Sequence, residues 1–288
     1  MKQPRVVTIQ DISCFGKCSL TVALPIISAM GVETAIIPTA VLSTHTGGFK
    51  NFTFRDLTDD IPKIVSHWKS IKLDFDVIYT GYLGSFEQLD VIKSFADDFK
   101  TDKNIILVDP AMGDNGKLYT GFDEEFALAM AGLCKKADVI VPNLTEATFM
   151  LGEEYPGDDY DEKYIKNLLK KLCALGAKNT ILTGISYTPG TIGAVSYSAE
   201  TGEYNSYFTP RVGESFHGTG DVFAGVVAGA LAQGLSLEKS MSLAADYVLE
   251  CIKATIGHEE EHWYSVRFED CIPYLVSRIS KEKENECN

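Results

Sequence analysis

No apolar run in this chain approaches the roughly 20 residues needed to cross a bilayer. The opening Met1-Lys2-Gln3-Pro4-Arg5 leads straight into a short strand-like segment, without the apolar core of a secretory signal. Positive charge is scarce: 26 Lys and Arg stand against 40 Asp and Glu, a formal net charge of −14. Nucleic acid and anionic membrane both demand basic surface, so neither is expected as the main partner, although a local pocket for a nucleotide stays compatible. The seven cysteines are odd in number and irregularly spaced, with no C-x-x-C. Cys14 and Cys18 lie near a Gly-containing turn but no second pair accompanies them. Free thiols in a reduced, cytoplasmic protein are therefore expected, rather than a metal site or a disulfide. Three nucleotide signatures are also missing. There is no G-x-x-x-x-G-K-[ST], of which Gly16-Lys17-Cys18 is only a fragment. There is no H-R-D with D-F-G, and no G-x-G-x-x-G after the first strand. A P-loop enzyme and a protein kinase are excluded, and a dinucleotide dehydrogenase is disfavoured. With no internal repeat and no Pro/Gly-rich linker, residues 1–288 are expected to form a single domain, long enough to bury a core.

What is present is alternation. Strands are expected at Val6–Gln10, Glu33–Pro38, Phe75–Thr80, Asn104–Asp109, Ala137–Pro142 and Thr180–Thr183. Thr191–Tyr197 and Tyr204–Pro210 should pair through a polar turn at Thr201-Gly202. Helices are expected at Leu20–Met30, Leu57–Ile71, Phe86–Phe99, Glu124–Cys134, Leu144–Leu151, Asp161–Leu175, Asp221–Gln233 and Leu237–Ala254, with a last one near Phe268–Ser280. The tail 281–288 is mixed in charge and expected to fray. Strand–helix alternation of this kind predicts an α/β fold with a mostly parallel central sheet covered by helices on both faces. Ligands in such folds bind beyond the carboxyl ends of the strands. The chemically informative residues fall there: Asp11, Gly81–Ser85, Asp109–Asp114, Asn143–Glu146 and Thr183–Ser186.

The densest motif is Phe216-His217-Gly218-Thr219-Gly220-Asp221, followed by the small, apolar helical run from Val222. Glycine lets backbone N–H groups approach a ligand closely, and a helix N-terminus adds unpaired N–H groups and a field that favours anions. Such a turn can cradle the charge that builds on a transferring phosphoryl group. Asp221 at its edge is placed to take a proton from an attacking hydroxyl, so the four residues Gly218–Asp221 suggest phosphoryl transfer to an alcohol. The structural alternative is a capped helix start, with Thr219 or Asp221 as the cap. Asp109-Pro110-Ala111-Met112-Gly113-Asp114 follows an apolar strand, and two carboxylates in that turn suit Mg²⁺, directly or through water. Ordinary turn chemistry is its alternative. Asn143-Leu144-Thr145-Glu146 reads as a capping box, or as a polar cluster around a water-bound metal and a triphosphate.

Taken together, these segments resemble the ribokinase-like superfamily, a three-layer α/β/α sandwich. Ile9-Gln10, Ser43-Thr44-His45-Thr46-Gly47, Thr80-Gly81-Tyr82-Leu83-Gly84-Ser85 and Asp109–Asp114 resemble the pyridoxal (vitamin B6) kinases within it. The resemblance runs in order from about residue 5 to residue 255. It implies an ATP- and Mg²⁺-dependent kinase acting on the 5′-hydroxymethyl group of pyridoxal, pyridoxine or pyridoxamine, working as a cytoplasmic homodimer, with a monovalent cation such as K⁺ left open. Asp221 would be the base, and the N–H groups of Gly218, Thr219 and Gly220 would hold the phosphoryl group. Asp109, Asp114 and Glu146 would organise Mg²⁺. Asn143, Thr145, Thr183 and Gly184 would lie along ATP. Asp11, His45, Thr46 and Tyr82 would line the pyridine pocket, with packed-aromatic and loop-bonding alternatives for Tyr82 and His45. A mobile flap over about 46–58 would exclude water, with Gly47-Gly48 as its hinge and Phe49, Phe52 and Phe54 as its cover.

One position departs from the family pattern. Many pyridoxal kinases carry Ser where this chain has Asp11, and a carboxylate there could pair with a pyridinium nitrogen or a substrate amine. Hydroxymethylpyrimidine kinase is the nearest alternative activity. A sugar kinase fits the Gly81–Ser85 segment less well. A catalytically silent vitamer binder would have no use for a base beside an anion hole.

Overall fold

The computed structural model describes residues 2–213 and 216–287, without the side chains from 285 onward. The chain runs through β1 (Arg5–Ser13), α1 (Leu20–Ala29), β2 (Glu33–Leu42), β3 (Phe54–Asp56), α2 (Ile61–Ser70), β4 (Val77–Thr80), α3 (Phe86–Phe99) and β5 (Ile105–Val108). A small hairpin of β6 (Gly113–Asp114) and β7 (Lys117–Leu118) precedes α4 (Glu124–Cys134), β8 (Val139–Ile140), α5 (Leu144–Leu151) and α6 (Glu162–Ala174). Then come β9 (Asn179–Ile185), β10 (Thr191–Ser198), β11 (Tyr204–Pro210), α7 (Thr219–Ala232), α8 (Leu237–Thr255) and α9 (Ile272–Cys287).

Nine strands form one sheet in the order β11-β10-β9-β8-β5-β4-β1-β2-β3. Pairing is parallel from β2 across to β9 and antiparallel at both margins. The strand order reverses at β1: β2 lies on one side of it, and β4, β5, β8 and β9 follow on the other. The carboxyl ends of β1 and β4 are therefore the place where such a sheet opens a crevice.

Side-chain alternation sends each strand into two cores. Ile78, Ile106 and Val108 pack under α2–α6, whereas Val77, Tyr79 and Leu107 pack against α1, α7, α8 and α9. This is the expected three-layer α/β sandwich. The helices start where side chains satisfy their free N–H groups: Ser85, Asp123, Asn143, Asp161 and Ser236 each accept a bond from the third residue of their helix. Each such cap stabilises by about 1 kcal/mol.

Several boundaries differ from expectation, each for a physical reason. β1 continues to Ser13, so Asp11 lies within the strand rather than after it. β2 continues past Pro38 to Leu42, and its register against β1 shifts opposite Asp11, from Gln10–Pro38 to Ile12–Val41. Proline has no N–H to give the ladder, and a bulge absorbs the missing bond. The segment read as all flap contains β3, which adds to the β2 edge. α2 begins at Ile61 rather than Leu57, after a single 3-10 turn over Thr58–Asp60. In place of a frayed tail, α9 runs to Cys287; Asn288 lies outside the described residues.

α7 is apolar all round, and every residue from Val222 to Ala230 is buried. A Cβ at Gly225 would already be in contact with α1, 3.6 Å from the Ala23 Cα and 3.8 Å from the Ile26 side chain, with no room beyond it for the two γ-methyls of valine. Gly225→Val should therefore force α1 and α7 apart and cost about 1–3 kcal/mol, read as a lower urea midpoint at unchanged m-value.

Candidate active site

The α7 N-terminus reaches the crevice because its body is buried between α1 and α8. Gly218 is its N-cap, with φ 77°, a left-handed angle that favours glycine. A Cβ there would also lie 2.7 Å from the Lys17 carbonyl oxygen and 3.0 Å from the Ser265 Oγ. The turn is thus pressed against the β1–α1 loop. Thr219 donates its hydroxyl to the Phe216 carbonyl at 3.1 Å, which leaves it a structural bond of its own. The N–H groups of the first turn have no intrahelical acceptor. Gly220 is exposed, with open space where its side chain would be.

Asp221 is the third residue of this helix. Part of its surface stays open to the crevice, yet its carboxyl sits deep enough that desolvation pushes its pKa up to about 7. The Ser19 backbone N–H opposes the shift and the Asp11 charge adds to it. A carboxyl poised near neutrality suits a general base.

A second acidic group lies beside it. Asp109 is buried at the end of β5, and desolvation, then Glu146, then Asp221 raise its pKa well above the carboxylate range. Glu146 is also buried, and its pKa is pushed up to about 7, first by desolvation. Its two oxygens are engaged: Oε2 accepts from the Asn143 N–H at 2.8 Å and Oε1 from the Met112 N–H at 3.1 Å. Asn143 completes the capping box and donates through Nδ2 to the Gly113 carbonyl at 2.8 Å. Thr145 accepts from the Gly116 N–H at 2.9 Å. The capping-box reading of Asn143–Glu146 is seen, and the box also latches the Asp109–Asp114 turn.

Of the residues expected to organise Mg²⁺ directly or through water, Asp109 and Asp114 bracket the turn after β5, and Glu146 bonds that turn from the start of α5. Asp114 is exposed and bonds Asn115 with both oxygens, at 2.9 and 3.0 Å. Glu146 is committed to backbone, and among the described residues no three His, Cys, Asp or Glu side chains converge as metal ligands. The donor chemistry still fits a hydrated divalent cation. The charges that act most strongly on Asp109 and Asp221 are those of other carboxylates.

On the other side of Asp221 stands Asp11, buried and accepting from the Ser13 Oγ at 2.9 Å and from the Ser19 side chain. Burial pushes its pKa up. The Tyr82 hydroxyl is pushed up to about 12, first by desolvation and then by the Asp11 charge, so the two side chains lie near enough to interact. Tyr82 also packs on Phe122, with ring centroids 5.4 Å apart. The Cys18 thiol, which the sequence reading assigned no role here, feels both Asp221 and Asp11 and is held well above its ordinary value, mainly by burial. Thr46 is exposed.

His45 takes its loop-bonding alternative. The Gly47 N–H donates to Nδ1 at 3.0 Å, so Nε2 carries the proton and donates to the Tyr264 carbonyl at 3.0 Å. A direct bond from this ring to a substrate would require breaking one of these. His45 instead starts an aromatic cluster that sequence reasoning missed. Phe49 lies 4.9 Å from His45 and 4.7 Å from Trp263, and Phe15 lies 4.9 Å from Tyr264. The cluster ties the start of the flap segment to residues 263–264. Of the expected apolar cover, Phe49 enters the cluster, whereas Phe54 is 49% exposed on β3. On the opposite side of the crevice, Thr183 bridges to Asn143, and Gly184 follows at φ 76°, exposed.

Gln88 was also missed. Ser85-x-x-Gln88 matches the capping-box pattern and could have flagged it. Its carboxamide accepts from the Gly84 N–H instead of the Ser85 N–H, at 2.7 Å.

The phosphomethylpyrimidine kinase family model matches residues 23–264. A solved structure from Bacteroides thetaiotaomicron, assigned provisionally as a phosphomethylpyrimidine kinase, is 38% identical. It superposes with a TM-score of 0.91 over 96% of this chain and 94% of that one. A second crystal form of that protein was solved with pyridoxal. The pyridoxal kinase of Lactobacillus plantarum is 30% identical, with a TM-score of 0.87 over 96% of this chain and 98% of that one. The thiamine biosynthetic bifunctional enzyme of Arabidopsis thaliana is 27% identical over 86% of this chain, which spans only 46% of that protein. This chain belongs to the phosphomethylpyrimidine kinase family and is an ATP-dependent small-molecule kinase.

The raised carboxyl at Asp221 carries a signed consequence for stability. With a folded pKa near 7 and an ordinary value near 4, it holds more protons folded than unfolded between those limits. Its contribution is complete below about pH 4 and is lost as pH rises toward about 7. Asp221→Asn should therefore flatten the decline of ligand-free stability over that interval and leave the variant more resistant to urea than wild type at pH 8, by roughly 1 kcal/mol or more. Parallel pH profiles for the two proteins would contradict the shift.

Proposed function

We propose, for this member of the phosphomethylpyrimidine kinase family, transfer of the γ-phosphoryl group of ATP to the 5′-hydroxymethyl group of a B6 vitamer: pyridoxal, pyridoxine or pyridoxamine. The observation that carries the reaction is the carboxyl of Asp221 poised near neutrality on the first turn of α7. The choice of vitamer class draws on Tyr82 beside the buried Asp11, and on the pyridoxal found with a relative 38% identical. The same reading takes residues 1–288 as one kinase domain acting as a cytoplasmic homodimer in the salvage of pyridoxal 5′-phosphate.

In the proposed reaction, Asp221 accepts the proton of the substrate hydroxyl as its oxygen forms the bond to the γ-phosphorus and the bond to the β-phosphate oxygen breaks, releasing ADP. The N–H groups at Gly218, Thr219 and Gly220 receive the charge on the transferring group. Asn143, Thr145, Thr183 and Gly184 line the path of the triphosphate and nucleotide. Asp109 would hold a hydrated Mg²⁺, with Glu146 keeping the turn in place and Asp114 at its rim. When bound, that ion neutralises charge on the phosphates. Asp11 and Tyr82 orient the ring, and a flap over 46–58 keeps water from the phosphoryl group.

A hydroxymethylpyrimidine substrate is the second reading, favoured by the family match and by the thiamine biosynthetic relative. Coupled ADP release with MgATP against the three vitamers, hydroxymethylpyrimidine and ribose, with products identified by mass, separates the two. Turnover on a vitamer is the expected outcome; turnover on hydroxymethylpyrimidine alone would replace the first reading by the second. Asp221→Ala should lower kcat by about 10²–10⁴-fold and leave ATP affinity within a few-fold. Near-normal turnover in the folded variant would remove Asp221 from the base role. Asp11→Ser should reorder the vitamers by kcat/KM while barely changing KM for ATP; an unchanged order would mean that Asp11 does not read the ring.

A further inference from the structure

Gln88 is fully buried near the start of α3, where Leu89, Ile92 and Phe95 lock the helix into the core. A buried carboxamide is costly unless it is bonded, and this one is bonded to three separate segments. Its Oε1 accepts from the Gly84 N–H at 2.7 Å, in the turn that carries Tyr82. Its Nε2 lies 3.1 Å from the Thr39 carbonyl, 3.0 Å from the Thr58 Oγ1 and 3.2 Å from the Asp56 Oδ2. Thr39 sits in the β2 bulge opposite Asp11, and its carbonyl takes both Gln88 and the Leu57 N–H, the latter at 3.0 Å as the next bond beyond the β2–β3 pairing. Asp56 and Thr58 are the return end of the flap segment, bonded to each other through the Thr58 N–H and the Asp56 Oδ1 at 2.7 Å.

Two amide protons thus serve three acceptors drawn from the bulge and the flap base, while the amide oxygen holds the turn of Tyr82. A shift of the flap base is felt at Gly84 through a post that the helix keeps still. We propose that Gln88 is a positioning residue that sets the flap base in register with the Tyr82 turn, and so governs the alcohol end of the reaction rather than the ATP end. Gln88 touches no substrate; it acts through Gly84, Asp56 and Thr58.

This inference rests on the kinase activity but not on which alcohol is used, so it is tested with whichever substrate of the panel the wild type turns over. Gln88→Met keeps the length of the side chain and removes its bonds. KM for the alcohol should rise tenfold or more and KM for ATP should stay within about twofold, with ATP hydrolysis in the absence of alcohol increased. Hydrogen exchange should quicken together in peptides covering 53–60 and 81–87, a readout that needs no substrate. An equal rise in both KM values, or faster exchange in only one of the two segments, would overturn the proposal. Should Gln88→Met fail to fold, a charge-swapped pair carries the test. Gln88→Glu keeps the acceptor for Gly84 but sets a carboxylate against Asp56, and Asp56→Asn returns an amide donor. The double variant should recover at least part of the alcohol KM lost in Gln88→Glu; no recovery would count against the coupling. If wild type turned over nothing in the panel, the proposed substrate class would fall, while the paired exchange would still decide the role of Gln88.

Discussion

The site depends on one constraint above all: a helix with no polar face must be buried along its whole body, yet its N-terminus must emerge at the sheet's crevice. α7 meets it by packing against α1 and α8 through small residues, so that only its first turn reaches the crevice. Everything the crevice needs from this helix is then carried in four residues. Unpaired N–H groups exist there because any helix start has them. Glycine at Gly218 is required because the backbone is left-handed and the Lys17 carbonyl leaves no room for a side chain. Asp221 falls within the first turn, where the helix favours an anion even as burial disfavours it. Those opposing effects leave a carboxyl able to take a proton near neutrality.

The electrostatics of the crevice follow from the same crowding. Asp11, Asp221, Asp109 and Glu146 are set around it, and each has its ionisation disfavoured first by desolvation. Adding triphosphate to such a pocket would increase repulsion unless a cation came with it. Glu146 shows how the fold holds one such carboxyl: its oxygens accept from the Asn143 and Met112 N–H groups and latch the Asp109 turn, while its charge still raises the Asp109 pKa.

Much of this was legible in the sequence because it is local. The G-T-G-D turn, the Asp-rich turn after β5 and the Asn143–Glu146 box are each contiguous, and the strand–helix alternation places all three at one edge of the sheet. Tyr82 follows β4 as expected, whereas Asp11 lies inside β1, because the strand runs on past the bulge in its pairing with β2. The spacing of Asp114 and Glu146 could not show which backbone N–H groups their oxygens take. β3 was missed because Phe54–Asp56 is short and its pairing depends on β2 continuing past Pro38, which a proline would ordinarily discourage.

The alcohol end was the less legible half, and the reason is sequence distance. His45 finds its partner at Tyr264, Phe49 packs on Trp263, and Gln88 gathers Thr39, Asp56 and Thr58. None of these contacts has a motif, because each joins segments tens to hundreds of residues apart. The Gly218–Asp221 turn, by contrast, is built from main-chain groups at a helix start, which any sequence with small residues and a capable carboxylate can supply. A fold divided in this way can keep its phosphoryl chemistry while its choice of alcohol changes. Substitutions that alter long-range polar contacts such as those of Gln88 would retune the pocket without touching the turn that carries Asp221. Similar proteins whose names carry a pyridine or a pyrimidine substrate are what such a division would produce.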